Sequence, residues 1–188
     1  MMKKGFFMRL FFAVQLDDQT KDRILSFANT VKKNSVSGNF SHRDNLHITL
    51  VFLGEVSAER LPIIKNALDS LPFSPFSVHL SHFGKFKNRG TSTYWIGAED
   101  CKPLNESYRF LNQTLTKQGF MFEQREFKPH LTIGREVVLC DGIEDELKIK
   151  SPNIAFEVTR ISLMNSERIA GKLTYTELHH KSSERNSI

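Results

Sequence analysis

Asn45-Leu46-His47-Ile48-Thr49-Leu50 returns later in the chain as Lys128-Pro129-His130-Leu131-Thr132-Ile133. Both stretches read His, apolar, Thr, apolar. In a β-strand, residues i and i+2 project from one face. His47 therefore points with Thr49 while Ile48 and Leu50 face a core, and His130 points with Thr132 over Leu131 and Ile133. Two such strands brought side by side would present two imidazoles and two hydroxyls to one cleft. The duplication predicts two lobes related by a pseudo-twofold, each giving one strand.

The rest of the chain supplies elements to hold them. Residues 9–16 form a short apolar run suited to a buried strand, and Asp17 and Asp18 offer an N-cap and first-turn acid. Ile24, Leu25, Ala28 and Val31 follow at helical spacing, predicting a helix over 19–33. Residues 34–38 read as a polar turn. Ser57 is placed to cap a second helix carrying Leu61, Ile64, Ala67 and Leu68. Residues 76–83 alternate as a half-buried strand, 85–90 read as a basic turn and 93–97 as a further strand. A third helix is expected over 104–118, and a strand over 127–133 in which Pro129 argues for an edge or the first residues. Residues 136–151 read as an acidic surface excursion. Two late strands, 155–164 and 173–179, precede a polar tail over 181–188. This order is α+β and not the strict alternation of a doubly wound sheet.

At 188 residues the chain is expected to form a single domain, or two small lobes on a shared core, with enough length to bury that core without staples. A charged fraction of 25% against 39% hydrophobic is that of a soluble globular protein, and no apolar stretch reaches the length of a membrane span. Lys3 and Lys4 give the start of a signal peptide, but Arg9 interrupts the apolar run and residues 15–18 make no small-residue cleavage site. A cytoplasmic protein is expected. Cys101 and Cys140 form no motif and read as free thiols. The net charge of +5 fits a polyanionic partner such as nucleic acid without requiring one.

Two imidazoles suit the opening of a cyclic phosphodiester. The reaction needs a base to activate water and an acid to protonate the departing ribose oxygen. With an ordinary pKa of ~6.5, one histidine can be neutral and the other charged near neutral pH. Thr49 and Thr132 can donate to non-bridging phosphate oxygens. A zinc site is the rival reading of paired histidines. There is no His-Glu-x-x-His, no cysteine pair and no acid within either tetrapeptide, so no metal or other cofactor is expected. His42, His79, His82, His179 and His180 share neither context and read as surface or core-edge residues.

At these residues the sequence resembles the 2H phosphoesterase superfamily, marked by a pair of His-x-Thr/Ser-x motifs. Within it the chain is similar to the bacterial and archaeal RNA 2′,3′-cyclic phosphodiesterases, historically called 2′-5′ RNA ligases. Residues 9–14, 45–56, 127–135 and 156–164, with Ser166 and Tyr175 beyond, carry the likeness, which spans roughly residues 8–180. The resemblance implies a bilobal α+β fold with a pseudo-twofold and antiparallel sheets around a central cleft. It implies hydrolysis of a terminal 2′,3′-cyclic phosphate on RNA, or of a nucleoside 2′,3′-cyclic phosphate, to a 2′-phosphomonoester, together with a reversible 2′-5′ joining of RNA ends. By motif, His47 would be the proton donor and His130 the proton acceptor, although the near-symmetric motifs do not themselves assign the roles. Thr49, Thr132 and Arg135 would hold the phosphate, and Phe127 is a candidate for stacking on a base, with core packing as its alternative. Plain strand alternation puts Arg135 on the face opposite His130 unless the strand twists or ends after Ile133.

Two other readings stay open on the sequence. One keeps the chemistry but changes the substrate to a 2′,5′-linked oligonucleotide or a small cyclic nucleotide. The other is a non-catalytic binder of RNA ends. A monomer without membrane attachment is expected in each case.

Overall fold

The computed structural model describes residues 6–122 and 126–183. Its first strand, β1 (Phe7–Gln15), turns Leu10, Phe12 and Val14 into the core. Asp17 then caps α1 (Asp18–Lys33), with Oδ1 accepting from the Thr20 backbone N–H at 2.7 Å and Oδ2 from the Thr20 hydroxyl at 2.7 Å. Ile24, Phe27, Ala28 and Val31 form the buried face of that helix.

Two further strands follow, β2 (Ser35–Phe40) and β3 (His47–Ser57). The expected polar turn over 34–38 is thus a correction. Its Ser, Gly and Asn residues pair as an exposed edge strand, where turn-like composition is tolerated. The helix α2 (Leu61–Asp69) starts after a 3₁₀ turn over Ala58–Arg60 with Pro62 in its first turn, and Ser57 makes no side-chain cap.

The hairpin of β4 (Phe76–Lys87) and β5 (Ser92–Ala98) is longer than the alternation suggested. Lys85 and Lys87 lie in the strand, and the turn itself is Asn88 to Thr91, closed by a 2.9 Å bond between the Asn88 N–H and the Thr91 carbonyl. Next comes α3 (Lys102–Lys117), which buries Leu104, Leu111 and Leu115. The strand β6 (His130–Leu139) begins at the histidine itself, which leaves Pro129 outside the ladder. It runs into the region expected to be irregular, and the short α4 (Glu144–Ile149) follows.

The late run over 155–164 is two strands, β7 (Ile154–Val158) and β8 (Arg160–Ile169), and β9 (Lys172–Ser182) completes the chain. Residues 184–188 of the expected tail lie outside the described residues, while Lys181 and Ser182 belong to β9.

Among the described residues all strand pairings are antiparallel and make two sheets, ordered β3-β1-β8-β9 and β2-β6-β5-β4-β7. The helices α2 and α3 contact the first sheet, while α1 and α4 contact the second. One apolar cluster joins both lobes, from Leu10 and Ile48 to Leu131 and Ile133. The strands β3 and β6, one from each sheet, pack against each other and bring the two histidine motifs together. Among the described residues no helix is long and apolar enough to cross a membrane.

Candidate active site

Each motif strand carries the same backbone irregularity. Along β3, Thr49 pairs with Ala13 but Val51 pairs with Phe12, so Leu50 is an extra residue. Along β6, Thr132 pairs with Trp95 but Gly134 pairs with Tyr94, so Ile133 is the extra one. A bulge of this kind shifts the alternation that follows it. The residue five places after each histidine, Phe52 in β3 and Arg135 in β6, is thereby re-aimed. Phe52 is 50% exposed and Arg135 is exposed.

That resolves where Arg135 points. Plain alternation would send it away from His130, yet its positive charge acts on His47, His130 and Tyr175 together, lowering the pKa of each histidine. A second irregularity, with Glu136 in the left-handed region at φ 55°, follows immediately. Arg135 therefore sits between two bulges, which strand periodicity cannot foresee.

Both imidazoles are held in one way. Nδ1–H of His47 donates to the Asn45 carbonyl at 2.7 Å, and Nδ1–H of His130 donates to the Lys128 carbonyl at 2.7 Å. A carbonyl can only accept, so each bond fixes the tautomer and leaves Nε2 as the nitrogen that can accept a proton. Here the two diverge. Nε2 of His47 lies 3.0 Å from the Thr49 hydroxyl, whereas no such bond joins His130 to Thr132.

Rings flank each histidine as well. Phe11 lies 5.0 Å from His47 between centroids, and Tyr175 meets it edge-on at 5.1 Å. Phe86 meets His130 edge-on at 5.1 Å, with Trp95 at 5.9 Å. Burial among these rings disfavours the imidazolium and pushes His47 down to about 4, against the pull of the Asn45 carbonyl and with the help of Arg135 and His130. Burial, then Arg135, pushes His130 in the same direction.

Phe127 has another partner. Its ring stacks on Tyr108 of α3 at 4.2 Å and 6° and packs at the rim of the hydrophobic core. Sequence reading assigned no role to Phe11, Phe86, Trp95 or Tyr175. The available signal was the pair of glycines, Gly84 and Gly97, set beside aromatic residues in adjacent strands. A cavity of about 370 Å³ bounded by Lys85, Asn88, Tyr94, Cys140 and Glu144 contains neither histidine; both lie instead where β3 and β6 pack together. Cys101 and Cys140 are unpaired.

Comparison with known proteins agrees with this geometry. Residues 20–170 match the 2'-5' RNA ligase superfamily. The RNA 2',3'-cyclic phosphodiesterase of Archaeoglobus fulgidus is 34% identical over 157 residues, which is 82% of this chain and 81% of that protein. The protein of the same name from Methanothermobacter thermautotrophicus is 34% identical over 180 residues, covering 91% and 96%. Among solved structures, Escherichia coli LigT complexed with 3'-AMP superimposes with a TM-score of 0.80 at 25% identity, covering 96% of this chain and all of that one. The Thermus thermophilus protein TT0787 also gives 0.80, at 24% identity, and supports the fold. With the family profile spanning most of its length and relatives above 30% identity matched over more than four-fifths of the chain, the chain belongs to the 2'-5' RNA ligase superfamily.

Proposed function

We propose that the chain is an RNA 2′,3′-cyclic phosphodiesterase that opens a terminal cyclic phosphate to a 2′-phosphomonoester. The observation that carries the reading is the pair of imidazoles pinned alike through Nδ1 on two strands that pack together, near enough that His130 acts on His47. The relatives' shared name supports the substrate class.

In this reading Nε2 of His130 accepts a proton from water as the water oxygen attacks phosphorus. The bond from phosphorus to the ribose 3′ oxygen breaks, and His47 delivers a proton from Nε2 to that oxygen. Thr49 and Thr132 donate to the non-bridging oxygens, and Arg135 offsets their charge. At rest His47 is neutral at pH 7, since its pKa is held down to about 4. The bound phosphodiester brings a negative charge into the groove, and an opposite charge favours the imidazolium. Binding substrate is thus what loads the acid.

Purified protein pre-treated with a chelator should convert a nucleoside 2′,3′-cyclic phosphate to the 2′-phosphate. A 3′-phosphate product would reverse the leaving group. Activity abolished by chelator and restored by zinc would replace the two-histidine mechanism with a metal one.

A further inference from the structure

His130 is flanked by rings from the next two strands of its sheet, the adjacent β5 and then β4. Trp95 lies on β5 opposite Thr132, and Phe86 lies on β4, with its ring 5.3 Å from the indole. The indole lies across two glycines. A Cβ on Gly84 would overlap it outright, and one on Gly97 would meet it at 2.9 Å. Neither glycine has the left-handed backbone that requires glycine. Their missing side chains therefore serve close approach, cutting a slot the width of an aromatic ring. Among the described residues the buried indole N–H of Trp95 has no hydrogen-bond partner. A buried unpaired donor is destabilising, and a phenyl ring would fill an apolar slot without it.

We propose that Trp95, backed by Phe86, is a positioning residue for His130, an indole wedged into the slot of Gly84 and Gly97 that fixes the imidazole plane so that Nε2 faces the phosphate. This rests on the acid–base role given to His130. The Nδ1 bond to Lys128 fixes one edge of the imidazole but leaves rotation about that edge, and the two rings close off that rotation. They also exclude water from one side of His130, in keeping with the lowering of its pKa by burial. The charge that reaches His130 comes from Arg135 on its own strand, and the titratable group across the groove is His47 on β3, itself lowered by His130. Residues Ser92–Ala98 of β5 carry no charge, and Lys85 of β4 is paired with Glu144.

Displacing the wedge should misplace the base without removing any group that touches substrate. Gly84→Ala and Trp95→Ala are expected to lower kcat by about 10–100-fold while KM stays within about threefold. Trp95→Phe, which keeps a ring in the slot, should retain most of kcat. The imidazole resonances of His130, followed by NMR titration without substrate, should move toward the ordinary histidine pKa in Trp95→Ala while those of His47 hold. A folded Gly84→Ala or Trp95→Ala with unchanged kcat and unchanged His130 titration overturns the proposal. So does a rise in KM at constant kcat, which would make the indole a wall of the substrate site. Should the alanine variants not fold, Trp95→Leu against Trp95→Phe makes the same comparison, and equal kcat in the two overturns the proposal. Wild-type protein that turns over no cyclic phosphate would instead defeat the phosphodiesterase reading, while the NMR titration would still report on the wedge.

Discussion

The two motif strands share a scaffold and differ in chemistry. In β3 and β6 alike a histidine is pinned through Nδ1 to the carbonyl two residues earlier, a threonine follows, and the next residue bulges. Five places after the histidine, however, β3 presents Phe52 and β6 presents Arg135. Phe52 carries the Arg9 guanidinium 4.9 Å above its ring, while Arg135 projects its charge onto both histidines. The Nε2 atom of His47 touches a hydroxyl and that of His130 does not. The repeated scaffold thus presents two equivalently held imidazoles, and the residues around them make the pair unequal. An acid and a base working in one step need that inequality.

The strongest way to break the comparison is to remove each histidine in turn. His47→Ala and His130→Ala should each lower kcat/KM by ~10²–10⁴-fold with the fold retained, the usual worth of a general acid or base. The two losses should not add in the double variant, because the groups act in one step. Near-normal turnover in either single variant would remove that residue from the reaction.

Arg135 tests the point at which the strands diverge. A hydrogen bond to a charged group contributes about 1.5–3 kcal/mol, so Arg135→Ala should lower kcat/KM by roughly 10–100-fold, toward the low end because the guanidinium is exposed. Arg135→Lys should recover only part, since an ammonium is a point charge without the planar fork. Adding Phe52→Arg to Arg135→Ala places a cation at the pseudo-symmetric position, beside Arg9. Full rescue there would mean the site reads only total charge, and the inequality between the strands would lose its functional meaning.

The sequence made the paired histidines and their threonines legible because a strand's period of two is local. It made Arg135 ambiguous because the bulge at Ile133 depends on pairing with β5, which no local pattern records. The apolar run over 155–164 looked like one strand for the same reason: periodicity does not show that the chain changes sheets at Thr159. The edge strand Ser35–Phe40 was hidden by its turn-like residues. Trp95 and Phe86 came to the site by tertiary packing alone, with only two glycines to announce them.

The pH profile follows from the direction of both shifts. Both histidines are held below the ordinary value of ~6.5, so the bell for kcat/KM, which reports free enzyme, should be centred on the acid side of that value. Bound phosphodiester favours the charged imidazole, so the bell for kcat should lie at higher pH. The two apparent values belong to the pair and not to either histidine. Coincident bells would show that substrate charge does not reach His47, and the loading of the acid by substrate would be wrong.

The smallest effect is on stability, and it reports on each histidine without any substrate. Unfolded chain protonates His47 near its ordinary pKa of ~6.5, while the folded protein resists until about 4. Between those values the unfolded state binds more protons, so stability rises with pH through this window and is lost as pH falls. Below about 4 both states are protonated and His47 contributes no further slope. Carboxylates such as Glu177, held below the ordinary range by Arg160 and Ser162 against the opposing effect of burial, also lose their stabilisation toward acid. The informative quantity is therefore the difference between variants. Urea midpoints measured from about pH 4 to 7.5, the span over which the unfolded histidine titrates, should fall less steeply toward acid in His47→Gln than in the wild type. His130→Gln should flatten the curve in the same sense. The effect is modest because His47 keeps some contact with solvent at the groove. Parallel curves for wild type and His47→Gln would mean that the groove leaves His47 as easily protonated as in water, and the inequality of the two strands would then rest on Arg135, Phe52 and the Thr49 hydroxyl.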